Sequence, residues 1–201
     1  MISELLGQAR NKLYFYLAGS LSPIRYAQTK QKMNKIRAIF DNSDYEIYDE
    51  FLNFQIDGYW LDEKLDEHYP GNMYKGLVPT LLFCLEDQNE RDLVWKRIYP
   101  GQFNKEVCPI LMCPDDCDFS CTIIVAEIEN CGNTIRWHRL GIDESKIYKP
   151  DYKPEKIGTA VTWFEKISSF KFYKKEYKQM IKDFEKQYQK DEIQWKKRRK
   201  I

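Results

Sequence analysis

The run from Thr122 to Ile128, TIIVAEI, limits the possible folds more than any other part of the chain. Its β-branched residues are stiff at χ1 and pack well on a pleated surface, which predicts a strand. A second run, Thr134 to Leu140 (TIRWHRL), follows the turn-forming Asn130-Cys131-Gly132-Asn133, so the two form a hairpin. Side chains alternate along a strand, so Trp137 and His138 point to opposite faces. Ile110-Leu111-Met112 reads as a short buried strand before the hairpin. Phe54-Gln55-Ile56 and Tyr59-Trp60-Leu61 flank Asp57-Gly58, a pair that tolerates the positive φ of a tight hairpin turn. Val161 to Phe164 and Phe170-Lys171-Phe172 are further short strand candidates. Lys12 to Leu17 (KLYFYL) fits a buried strand or the end of a short helix, and Leu81-Leu82-Phe83 is core of either type.

Two helices flank this sheet. Ser22 can cap and Pro23 can open a helix over residues 23–40, with Tyr26, Met33, Ile36 and Phe40 at helical spacing. From Tyr173 the residues Tyr173, Tyr177, Ile181, Phe184 and Tyr188 form one apolar stripe, predicting a long helix over 173–195. The basic stretch from about residue 190 to 201 has no core pattern and is expected to fray. Tyr148 to Gly158 reads as a surface loop. With no repeat or linker, the expectation is one α+β domain over residues 1–201, mainly antiparallel sheet.

Charge is segregated along the chain. Residues 1–40 carry seven Lys/Arg and one acid, residues 41–92 fourteen acids and three bases, and residues 171–201 twelve bases and five acids. The acidic middle therefore either neutralises the basic ends or steers a basic partner. No apolar run reaches the roughly 20 residues that span a bilayer, and MISELLGQARNK lacks a basic region before an apolar block. The expected location is the cytoplasm, with reduced cysteines and no membrane partner.

Chemistry concentrates between Cys108 and Cys121. Cys108, Cys113, Cys117 and Cys121 are spaced C-x4-C-x3-C-x3-C, without the C-x2-C pair that aims two thiolates at one zinc. That favours reduced core thiols, with no cofactor expected and zinc as the alternative. Asp115, Asp116 and Asp118 suit a solvated turn better than a hard-cation site, and their charge disfavours a nucleophilic thiolate at Cys117. The two histidines, His68 and His138, do not complete a Ser-His-Asp or Cys-His set. Gly-rich phosphate motifs are missing. Acids interrupt the Lys-rich C-terminal helix, which argues against nucleic acid.

Cys113 to Cys121, Ile135-Arg136-Trp137, and Phe170-Lys171-Phe172 with Tyr177 together resemble a pattern among small bacterial proteins of uncharacterised function. In these a Cys-rich turn leads into a hairpin closing on V-x-W, then F-x-F and a terminal helix. The resemblance covers about two-fifths of the chain and carries no catalytic residue. It implies an immunity-like role: non-enzymatic inhibition of a bacterial toxin. In that role Asp44, Glu46, Asp49, Glu50, Asp62, Glu63, Asp66 and Glu67 would face a basic toxin surface, with Tyr45, Tyr48, Tyr59, Trp60 and Tyr69 as aromatic anchors. A metal-dependent module or enzyme on Cys113, Cys117, Cys121 and Asp116 is the alternative, and nucleic-acid binding by residues 171–201 a third reading.

Overall fold

A computed structural model describes residues 32–42, 50–145 and 153–198. The hairpin that anchors the sequence reading is its centre. Strand β6 (Ile123–Asn130) pairs antiparallel with β7 (Thr134–Asp143), with Gly132 in the left-handed region at the turn. Strand β5 (Lys105–Met112) covers the other edge of β6 and is capped by the two-residue β4 (Val78–Pro79). β5 extends well beyond the predicted Ile110–Met112. Pro109 has no N–H for a ladder, and the β5–β6 register shifts there as a bulge. Its carbonyl instead accepts the Thr80 hydroxyl at 2.8 Å.

The far edge of β7 is shared end to end. β8 (Val161–Trp163) pairs with Gly141–Asp143, and β9 (Phe170–Tyr173) with Thr134–Trp137. The result is a six-stranded antiparallel sheet. A second sheet holds β1 (Ile36–Asp41), β2 (Phe51–Ile56) and β3 (Tyr59–Trp60), the last two joined by Asp57-Gly58 at φ 53° and 91°. Among the described residues three α-helices pack with the sheets: α1 (Leu61–His68), α2 (Gln88–Arg97) and α3 (Lys174–Arg198). The α+β reading holds for the described residues, and no helix among them is long and apolar enough to cross a membrane.

The predicted helix over 23–40 is corrected where it can be seen. Residues 36–41 pair with all six residues of β2, from Ile36 opposite Ile56 to Asp41 opposite Phe51. Ladder pairing with a distant partner outweighs a local spacing that suits either structure. Residues 23–31 of that prediction lie outside the described residues, as do Lys12–Leu17 and residues 148–152. Leu81 and Leu82 are buried, but in a turn.

Trp137 organises the core. Its fully buried ring meets Phe54 from the smaller sheet, Phe170 and Phe172 of β9 and Tyr177 of α3, all edge-on at 5.5–6.4 Å. Such edge-to-face pairs contribute about 0.5–1.5 kcal/mol each beyond area burial. The indole N–H donates to the Tyr177 hydroxyl at 3.1 Å, which donates to the Ile98 carbonyl at 2.9 Å. No polar atom of this relay is left unpaired. α3 continues helical to Arg198, past the point of predicted fraying. Phe83 sits edge-on to Tyr188 and Trp195 at 5.3 and 6.0 Å, and Lys196 pairs with Glu192, so the last turns have their own support.

Candidate functional site

The ten-residue connection from β5 to β6 leaves the sheet at Cys113 and returns at Thr122. Its neck is closed by the Cys113 N–H donating to the Thr122 carbonyl at 3.1 Å. Within it, Cys113-Pro114-Asp115-Asp116-Cys117 makes a tight turn. The Cys117 N–H donates to the Cys113 carbonyl at 3.2 Å, and Cys117 takes the left-handed φ of 48° that ends the turn. Burial raises the Cys113 thiol above its ordinary value, while backbone N–H groups of Asp115 and Asp116 directed at the sulfur pull it down. The Cys113 Sγ, an Asp116 carboxylate oxygen and the Cys121 Sγ all lie within 4.8 Å of one another, a grouping that can hold a metal ion. Cys113 is half-buried, and Asp116 and Cys121 are exposed, so the cluster opens to solvent.

The four cysteines singled out by sequence part company here. Cys113 and Cys121 converge. Cys108 does not: it is fully buried on β5, its sulfur against the Val94 and Pro109 carbonyls, and burial drives its thiol far above the ordinary range. A neutral thiol sealed in the core is filler, and as a ligand candidate it is withdrawn. Cys117 is not in the converging group either; its sulfur lies 3.2 Å from the Pro114 carbonyl. Of the three acids of the turn, Asp118 is occupied by the N–H and hydroxyl of Ser120 and Asp115 lies 4.0 Å from the Cys113 sulfur, while Asp116 is the carboxylate that converges with both thiols.

One residue that sequence reasoning did not single out borders this connection. Glu90, in the first turn of α2, is 2% exposed; one carboxylate oxygen accepts the Phe119 N–H at 3.3 Å, and the other has no hydrogen-bond partner among the described residues. Burial, with Asp87 and Asp118 adding repulsion, raises its pKa to about 7. An acid at this helix position ordinarily reads as solvated and favoured by the helix dipole, so nothing in the sequence signals its burial.

The expected recognition acids also separate. Asp44, Tyr45, Glu46, Tyr48 and Asp49 lie outside the described residues. Asp62 is buried, not displayed: it accepts from the Asn53 amide at 3.2 Å and the Gly76 N–H at 2.9 Å, tying α1 to β2. Burial raises its pKa in spite of those bonds. Tyr69 is also spent internally, its ring 4.8 Å from Phe164 and its hydroxyl accepting the Lys166 N–H. Glu50 is exposed and lines a separate cleft with Trp195 and Arg198. What remains together is Tyr59, Trp60, Glu63, Asp66 and Glu67. They surround a shallow depression of about 370 Å³, and Glu63 and Asp66 also line a neighbouring one of about 600 Å³ with Asp41.

His138 pairs with Glu129 across the β6–β7 ladder, and that hydrogen bond holds the Glu129 carboxyl below its ordinary value. Beside it Glu127 bridges Lys105 and Arg139. This is a polar outer face of the sheet, with the histidine committed to a carboxylate. No family model, curated protein or solved structure matches the chain. Function therefore rests on these local arrangements alone.

Proposed function

We propose that this chain is a non-enzymatic binding protein that docks a basic protein through the face formed by Tyr59 and α1, as an immunity-type inhibitor of a bacterial toxin would. The observation that carries the reading is the arrangement around Tyr59. Tyr59 is 61% exposed at a hairpin tip, beside Glu63, Asp66 and Glu67 on one short helix. An exposed aromatic ring ringed by carboxylates supplies both halves of a recognition surface: an anchor of large contact area and a field that speeds approach of a positive partner. The tip is rigidly held, since Asp57 accepts the Lys35 N–H and the Asn34 amide. Lys64 lies over the Tyr59 ring at 4.9 Å and Lys75 pairs with Glu63 at 3.1 Å, so a basic partner would displace two weak surface contacts.

The test uses the polypeptide encoded beside this chain's gene as the binding partner. Wild type is expected to bind it one to one with an affinity that falls steeply with salt. The variant Tyr59→Ser, Glu63→Lys, Asp66→Lys, Glu67→Lys is expected to lose at least about 100-fold, mostly in association rate. Undiminished binding by this variant, with its fold confirmed by circular dichroism, removes the face from the account.

A further inference from the structure

We infer that Cys113, Asp116 and Cys121 form a binding site for a single thiophilic divalent cation, zinc in the first instance. The site stands independently of the docking face. The first observation is convergence: three donor atoms from the two ends of one connection lie within 4.8 Å of one another. Zinc bound at about 2.3 Å from sulfur and 2.0–2.2 Å from oxygen sets tetrahedral ligands roughly 3.5–3.8 Å apart. Side-chain rotation can close the remaining ångström, since two of the three side chains are exposed.

The second observation is the form of the turn. Cys113 and Asp116 stand three apart, the same two-residue separation as the C-x2-C pairs that grip zinc, with a carboxylate in the second place. The Asp115 and Asp116 N–H groups are directed at the Cys113 sulfur and orient it. Cys117, in the left-handed region, turns the chain out of the way. Cys121 then returns at the other end of the connection, one residue before the Thr122 carbonyl that closes the neck.

The third is charge. Two thiolates and Asp116, with Asp115 and Asp118 beside them, would put several negative charges on one small turn. A dication relieves that repulsion, and the mixed sulfur–oxygen donor set suits zinc better than calcium or magnesium, which take oxygen alone. Three protein ligands leave a fourth position facing solvent. That is the layout of a site open to water or to a partner's donor, unlike a closed four-ligand structural site.

Full-length protein, kept in a phosphine reductant and stripped with chelator, is titrated with Zn²⁺ by calorimetry and with Co²⁺ by absorbance. One equivalent of Zn²⁺ should bind, and Co²⁺ should give sulfur-to-metal charge transfer and the visible bands of a tetrahedral ion. Because losing even an outer partner of a ligand costs 10–100-fold, Cys113→Ser and Cys121→Ser are each expected to weaken Zn²⁺ by at least about 100-fold. Asp116→Asn should weaken it about tenfold or more, while Cys84→Ser and Cys131→Ser leave it unchanged. Bound Zn²⁺ should also shield Cys113 and Cys121 from alkylation, read by mass spectrometry. The site is refuted by substoichiometric binding, by charge transfer that survives the double variant Cys113→Ser/Cys121→Ser, or by binding that depends on Cys84 or Cys131.

Discussion

Cys108 and Cys113 stand five residues apart, on either side of the point where β5 leaves the sheet. The first is sealed beneath α2 with a neutral thiol; the second heads an open turn where it meets another thiol and a carboxylate. The wider contrast is between the layer around Trp137, where the indole and the Tyr177 hydroxyl both have partners, and the 113–122 connection, where polar groups collect at an open surface. A cysteine has no fixed role in this chain. Whether its neighbours exclude water or converge on one point decides between packing and ligation.

The contrast breaks most visibly at Trp137. Trp137→Ala should destabilise the protein by about 3–5 kcal/mol, by loss of transfer energy and an unfilled cavity. Urea unfolding followed by far-ultraviolet circular dichroism measures it, and a cost below 1 kcal/mol would mean that the indole is not the hub of the core.

Glu90 sharpens the boundary between the two regions. Its folded pKa of about 7 lies above the ordinary 4.5, so the folded state holds a proton that the unfolded chain releases. Its contribution is therefore most favourable below pH 4.5, declines as pH rises to 7, and levels off above. Over that window the loss is on the order of 3 kcal/mol. Glu90→Gln keeps an acceptor for the Phe119 N–H and should flatten that portion of the profile. Urea midpoints from pH 4 to 8 decide it, and parallel profiles for the two proteins would refute the assignment.

The smallest effect compares two serines. Cys108→Ser puts a hydroxyl into the sealed core and should cost about 1–3 kcal/mol. Cys121→Ser, on the exposed turn, should stay within about 0.5 kcal/mol in metal-free protein. Equal costs in thermal unfolding would erase the distinction between filler and ligand.

Much of the fold was legible in the chain. Residues 122–140 read correctly because β-branched residues and a turn with glycine act locally, and Asp57-Gly58 did so for the same reason. Residues 36–41 did not, because Ile36 and Phe40 suit a helix stripe equally well and their partner strand begins ten residues beyond β1. At the site, a search for paired cysteines passes over a carboxylate in the second position. Asp62 and Glu90 were hidden for a simpler reason: acids ordinarily seek water, and only tertiary contacts reveal the two that do not.

The hydroxyl of Tyr177 joins the indole of Trp137 to the carbonyl of Ile98. It is carried on α3, so the two groups are joined only once that helix has packed on the sheet. Until then the sheet holds a wet indole and exposed phenylalanines, a surface that invites aggregation. The chain cut after residue 173 should therefore be protease-sensitive where the chain that carries α3 is resistant. Helix α3 closes this layer of the core.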